Sequence, residues 1–265
     1  PGSTYQRGDR QSNLYHDYTV GYYNVVKKLT EKHPKVIFKV CYAGGGRVEF
    51  GSLEYGHEVW TSDDTDAMQR IFIQWGTGHI YPACGMAAHV SASPNHQTHR
   101  KTPIKFRFDV AMSGRLGLEL HPVNMTEDEL TFSKTAVETY KSIRPVVQQG
   151  DLYRLISPYE SNYASLMYVN PDKSRAILFG YCHKFMKMYP QPHIKLQGLD
   201  PNKKYMVVEI NKYQDWQHAK PVDGKVFSGD TLMNVGIDVN LDGSKGTGNH
   251  QGDYDSAVFE LTEVE

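Results

Sequence analysis

Cysteine is scarce: Cys41, Cys84 and Cys182 are the only three in 265 residues. They lie far apart and are odd in number, so neither a disulfide framework nor a paired zinc-ligand pattern can be built from them. Each falls in an apolar, strand-like segment. Net charge is equally scarce, with 29 Lys and Arg against 30 Asp and Glu. That balance argues against nucleic acid or a charged membrane surface as partner, and for a ligand that is neutral or recognised locally. No apolar run approaches the roughly 18 residues of a membrane span, and no signal peptide opens the chain. Repeats and low-complexity tracts are missing. So are the glycine spacing of a dinucleotide site and the Gly-Lys-Ser/Thr ending of a phosphate loop, which leaves no cofactor motif. Asp238 to Gly243, "DVNLDG", has the first spacings of a calcium loop, but its twelfth position is Asn249 rather than glutamate, and it reads as a solvated turn.

What is present, up to about residue 150, is alternation of helix and strand. Leu14, Tyr18, Tyr22, Val25, Val26 and Leu29 recur at helical spacing, and Pro34 stops that helix. "VIFKVCYA" follows as a strand broken by Gly44 to Gly46. "HEVWTS" is a second strand ending at Asp63, and Thr65 to Trp75 returns to a helical pattern. "HIYPACGMAAHVSA" contains a third strand or loop, and "IKFRFDVAMSGRLGLEL" holds a fourth strand. Thr126 and Glu129 form a capping box ahead of Leu130, Val137, Tyr140 and Ile143 on one helical face. The texture then changes. "SNYASLMYVNPDKSRAILFGYCHK" is a hairpin turning at "NPDK", "KYMVVEINKY" is a further strand, and no helix pattern follows. The expected fold class is α/β: a parallel sheet over residues 1–156, doubly wound or part of a (β/α)8 barrel, then an antiparallel β-sandwich over 157–265. Only about four strand–helix units fit before the sandwich, whereas a closed barrel takes eight. A barrel therefore requires a missing half.

The unusual chemistry sits where two neighbouring strands end, in "VCYAGGGRVEFGSLEYGHEVWTSDDTD", Val40 to Asp66. In parallel sheets the carboxyl ends of the strands carry the active-site loops. Glycines there let a ligand approach the backbone, and a carboxylate nearby can deliver or remove a proton. Asp63, Asp64 and Asp66 also suit a purely structural role, because acidic residues between a strand and a helix are most often caps. Cys41 reads equally as a small buried hydrophobe, and Arg47 as the partner of a nearby carboxylate.

Five blocks in order, "CYAGGGRVEFGSLEY", "WTSDDTDAMQRIFIQWGT", "AAHVSASPNHQT", "FRFDVAMSGRLGLEL" and "GDTLMNVGI" with "DYDSAVFEL", resemble glycoside hydrolase family 36, the melibiase-type α-galactosidases. The resemblance covers nearly the whole chain. It implies the second half of a (β/α)8 barrel followed by a C-terminal β-sandwich, and retaining hydrolysis of terminal α-galactosides by two carboxylates. By the same resemblance Asp63 is the general acid/base, while Asp64 and Asp66 orient the loop or cap the next helix. Cys41 and Gly44 line the sugar near its 2-hydroxyl, a pair that favours galactose over N-acetylgalactosamine, and Arg47 is a supporting residue. The family's Lys-Trp-Asp-type nucleophile motif does not occur in these 265 residues, nor do the positions expected to hold the galactose 4- and 6-hydroxyls. The expected partners are thus an α-galactoside substrate, a missing barrel half upstream or in another chain, and a further copy of the protein, since family members are often homo-oligomers. Alone, the chain is expected to be inactive, and unstable or associated. A catalytically incomplete carbohydrate-binding or scaffold protein and an α-N-acetylgalactosaminidase are the alternative readings.

Overall fold

The computed structural model describes residues 8–41, 49–186, 188, 190–213, 220–241 and 253–265. Its contacts divide the chain into two units, Pro1–Asp63 and Asp64–Glu265.

In the first unit a 3-10 turn, Gly8–Asn13, leads into helix α1, Leu14–Lys32. The helix ends as its sequence predicts, with the His33 amide bonded to the Leu29 carbonyl just before Pro34. Its apolar stripe, however, is not buried: Tyr18, Val25 and Leu29 are exposed, and no described residue of the helix is buried. Tyr15, Tyr18, Tyr22 and Tyr23 instead wall an open groove of about 570 Å³ shared with Glu49 and Ser52. Strand β1, Lys39–Val40, runs parallel to β2, Glu58–Trp60, with Lys39 opposite Glu58 and Val40 opposite Val59. Pleating sends Val40 and Val59 to a buried face and Lys39, Glu58 and Trp60 to the other. Between the strands lies the short helix α2, Phe50–Leu53. The chain returns from it through Gly56, where a Cβ would collide with the Val40 side chain, so glycine lets β1 lie against the turn.

The second unit begins with α3, Ala67–Thr77, then β3, Met86–Ser91, α4, Ile104–Met112, β4, Arg115–Glu119, and α5, Glu127–Gln149. Strands β3 and β4 are parallel, with α4 as their crossover. The segment read as holding a fourth strand does hold β4, and its first part is this helix, which the sequence pattern does not reveal. "IKFRF" alternates like a strand, but all nine residues of α4 are buried, so no solvent face exists to impose helical periodicity. Helix α5 starts on the predicted capping box: the Thr126 side chain accepts from the Glu129 amide, and the Glu129 carboxylate accepts from the Thr126 amide, both at 3.2 Å.

From Asp151 the chain becomes antiparallel: β5 (Asp151–Ile156), β6 (Tyr163–Val169), β7 (Arg175–Cys182), β8 (Lys204–Ile210), β9 (Lys225–Ser228) and β10 (Asp255–Val264) form one sheet ordered β5-β6-β7-β10-β8-β9. A short helix that the sequence pattern does not reveal, α6 (Gly229–Asn234), follows β9. Alternate residues of the sheet face opposite cores. Leu166, Tyr168, Ile177 and Phe179 join α3, α4 and α5 in one, while Met167, Leu178, Phe259 and Leu261 join Ile194, Leu196, Ile237 and Val239 in the other. Ile194 and Ile237 close the outer layer with an isolated antiparallel bridge. Burial on both faces explains why β6 and β7 read as continuous apolar runs.

A polar cluster lies inside the helix-to-sheet contact. Lys105 Nζ donates to Asp109 Oδ2 (2.5 Å) and to the Ser256 carbonyl (2.9 Å); Asn211 Nδ2 and Ser256 Oγ also donate to the Asp109 carboxylate. Burial works against the charge on Lys105, but Asp109 and Glu209 outweigh it and hold the ammonium above its ordinary value.

Candidate active site

The site is assembled from strand ends. Cys41 follows directly on β1, and Thr61 to Asp63 follow on β2, so both segments leave the same carboxyl end of a parallel pair. Cys41 is exposed and just outside the strand, and Asp63 is exposed. Gly44 and Arg47 lie outside the described residues. So do residues 242–249 of the calcium-like stretch; within its described part the Asp238 carboxylate accepts from the Asn240 amide at 2.8 Å, as in a tight turn. Among the described residues no group of three or more His, Cys, Asp or Glu could hold a metal ion, and no helix is long and apolar enough to cross a membrane.

Asp63 has a specific neighbour. The indole Nε1–H of Trp60 donates to Asp63 Oδ1 at 3.0 Å. The indole is itself flanked by Lys39, whose Nζ lies 4.9 Å from the ring centroid and 3.0 Å from the Glu58 carboxylate. An ammonium over an indole face is attractive because of the ring quadrupole. Lys39, Glu58 and Trp60 are thus arranged on one face of the β1–β2 pair, with Asp63 at its end.

Glu49, before α2, is held quite differently. Its carboxylate caps α2 by accepting from the Gly51 and Ser52 amides (2.7 and 2.6 Å), and it also accepts from the Tyr23 hydroxyl (2.8 Å) and from Ser52 Oγ. Burial raises its pKa, but these donors prevail and keep it below the usual glutamate value.

In the second unit, Asp64 and Asp66 are engaged with the backbone and with a clamp. Asp64 Oδ1 accepts from the Asp66 amide at 3.0 Å. Asp66 caps α3 by accepting from the Met68 amide at 2.9 Å, and its other oxygen accepts from Thr98 Oγ1 (2.6 Å) and Arg100 Nε (2.7 Å). Only 1% of Asp66 is exposed. Thr65, between them, is bonded by Ser91, Asn95 and Gln97. Arg100 reaches on to Tyr254, donating from Nη1 to its hydroxyl at 2.5 Å with the guanidinium 5.5 Å from the ring centroid. Burial alone would lower the pKa of Arg100; the bonds to Asp66 and Tyr254 more than compensate.

The chemistry of the three aspartates therefore differs. Asp66 accepts three donors in a dry setting, which suits an anchor. Asp63 is exposed beside an indole donor, which suits a group that exchanges a proton with a ligand. Trp60, Asn95, Gln97, Thr98, Arg100 and Tyr254 do not emerge as site residues from the sequence. For Asn95, Gln97 and Thr98 the polar "SPNHQT" block after β3 is a local signal, whereas Tyr254 lies 154 residues from Arg100.

Two family models match the chain: Melibiase over residues 1–150, and the glycosyl hydrolase family 36 C-terminal domain over residues 163–261. Among curated proteins it is 41% identical over 234 residues to the probable alpha-galactosidase C of Aspergillus terreus, covering 88% of this chain and 29% of that protein. It is 39% identical over 236 residues to alpha-galactosidase AgaA of Geobacillus stearothermophilus, covering 89% and 30%. The chain thus spans about 30% of the length of these relatives. Among solved structures, the alpha-galactosidase of Lactobacillus brevis superposes with a TM-score of 0.88 at 36% identity, covering 99% of this chain and 34% of that one. A variant of AgaA crystallised in complex with raffinose gives a TM-score of 0.86 at 36% identity, with the same coverage.

Proposed function

The chain belongs to glycoside hydrolase family 36, and from that membership we propose that it is part of a retaining α-galactosidase removing terminal α-linked galactose from oligosaccharides. Asp63, exposed at the carboxyl end of a parallel strand and level with the Cys41 segment, is the observation that carries the reading. In this scheme Asp63 protonates the departing glycosidic oxygen as a nucleophilic carboxylate attacks the anomeric carbon. It then takes the proton from the water that hydrolyses the glycosyl-enzyme. The nucleophile and the ligands of the galactose 4- and 6-hydroxyls are assigned to polypeptide outside these 265 residues, so the chain by itself is inactive. Cys41 and Gly44 line the sugar near its 2-hydroxyl. Arg47, Asp64 and Asp66 support the loops, with Asp66 anchoring the start of α3. Residues 1–156 contribute to the catalytic barrel and 157–265 form the C-terminal β-domain. The raffinose complex of AgaA points to galactosyl-sucrose oligosaccharides as the substrate class.

The test uses the longer polypeptide that contains this sequence. Incubated with 4-nitrophenyl α-galactoside or raffinose, it should release galactose whose first-formed anomer, followed by proton NMR, is α. Release of β-galactose first, or no release from either substrate, overturns the reading.

A further inference from the structure

We infer that Trp60 is a positioning residue for Asp63, fixing through its indole N–H which carboxylate oxygen carries the catalytic proton. The inference rests on the reading of Asp63 as acid/base. An aspartate serving both steps must meet the glycosidic oxygen with an O–H and then meet water with a bare oxygen, without turning in between. The side chain has only two torsions, but at an exposed position both are available to it. Here Oδ1 accepts the Trp60 Nε1–H at 3.0 Å. Indole nitrogen is only a donor, so the bond persists whether the carboxyl is charged or neutral, and it disfavours a proton on Oδ1 facing that N–H. The neutral acid therefore carries its proton on Oδ2. After transfer, the same bond holds the carboxylate in place for the second step.

The indole is held in turn. Lys39 stands over its face at 4.9 Å and is fixed by Glu58 at 3.0 Å. Residues 39, 58 and 60 share one face of the β1–β2 pair by the strand period, so rigid strands set the plane of the ring. Phenylalanine would fill much the same space at the end of β2. Only the N–H distinguishes tryptophan in this role.

The experiment is a mutant cycle in the longer polypeptide, comparing wild type, Trp60→Phe, Asp63→Ala and the double variant. The readout is kcat/KM, which reports the first chemical step, for raffinose, phenyl α-galactoside and 4-nitrophenyl α-galactoside. Trp60→Phe should lower the value for raffinose by about 10-fold or more, the size expected for a hydrogen bond to an ionisable group, and that for the nitrophenyl substrate by less than about twofold. In the Asp63→Ala background it should cost nothing further on phenyl α-galactoside, because the two changes act on one event. Lys39→Met, which spares the N–H but frees the ring, should show the same leaving-group split in weaker form and covers the case in which Trp60→Phe does not fold. Equal losses on all three substrates that recur in the Asp63→Ala background would mean that the indole contacts the sugar or supports the strand, and would overturn the inference while leaving Asp63 as acid/base. If Asp63→Ala itself shows no leaving-group dependence, the assignment of Asp63 fails and the inference with it.

Discussion

Asp63 and Asp66 are the same residue type three positions apart, yet their surroundings separate them. Asp66 is enclosed and accepts from a helix amide, a threonine and an arginine, while Asp63 is exposed and meets an indole N–H. From the letters "DDTD" alone, all three aspartates suit capping, and only the burial of the cap and the contact with Trp60 divide them. If Asp63 is the acid/base, Asp63→Ala in the longer polypeptide should lower turnover of raffinose by about 100- to 10,000-fold. With 4-nitrophenyl α-galactoside the loss in the first step should be smaller and the glycosyl-enzyme should accumulate. Azide, which needs no general base, should restore turnover and yield galactosyl azide. Steady-state rates with and without azide decide this, and equal losses on both substrates without rescue would remove Asp63 from the role. A histidine in the second unit bears on stability. His183 is partly buried against Phe72, with Nε2 2.9 Å from the Ser161 carbonyl. Burial, opposed by that bond, lowers its pKa below the ordinary value of 6.5. Below about pH 6.5 the unfolded chain then binds the proton more readily than the folded one, so this stabilisation is complete above pH 6.5 and is lost as pH falls through the lowered folded value. Melting temperatures measured from pH 8 to pH 5 should decline less in His183→Gln than in wild type.

At the scale of single elements, legibility followed from whether a segment has two distinct faces or an end signal. Helix α5 has both, with Thr126 and Glu129 at its start and Phe132, Tyr140 and Ile143 buried along one side. The β6–β7 hairpin announces itself through "NPDK", where Lys173 takes a left-handed φ of 56°. Helix α4 lacks both marks: it starts after Pro103 with no side-chain cap and is buried all round. Within the described part of "VIFKVCYA", Val36 to Cys41, the strand is limited to Lys39–Val40, since Val36 and Ile37 remain exposed and have no parallel partner among the described pairings. Cys41 and Cys84, read as strand residues, lie respectively just beyond β1 and in a 3-10 turn, Ala83–Gly85. Thr126→Ala removes one bond of the α5 capping box and should destabilise the protein by about 1 kcal/mol. Urea unfolding should show this as a lower midpoint with unchanged slope, whereas Thr126→Ser should restore most of the loss.

Across the second unit, the helices and the antiparallel sheet share one apolar core and one buried ionic cluster, so the sheet is bonded to α4 as well as packed on it. This arrangement was not readable in advance, because Lys105 and Asp109 look in sequence like an ordinary exposed i, i+4 pair. It is their complete burial and the reach to Ser256, 151 residues away, that give the pair its role. Removing one partner strands the other's charge. Asp109→Ala should therefore cost about 3–5 kcal/mol, more than a surface ion pair could account for. Because the core is shared, the loss should shift one unfolding transition, observed together by far-ultraviolet circular dichroism and tryptophan fluorescence. A split into two transitions would mean that helices and sheet fold separately.

The position of β10 bears on the order in which the protein can be finished. Although it comes after every other described strand in sequence, it lies inside the sheet between β7 and β8, and Tyr254, just before it, bonds the arginine that holds the Asp66 cap. During synthesis, the segment beside Asp63 is made some 190 residues before the tyrosine that completes its clamp. Until residue 254 and the strand after it have left the ribosome, β7 and β8 present unpaired backbone edges to the cell and Arg100 waits without its outer partner. A nascent chain stalled short of this strand is thus a client for chaperones, and the start of α3 acquires this restraint only after Tyr254 has been made.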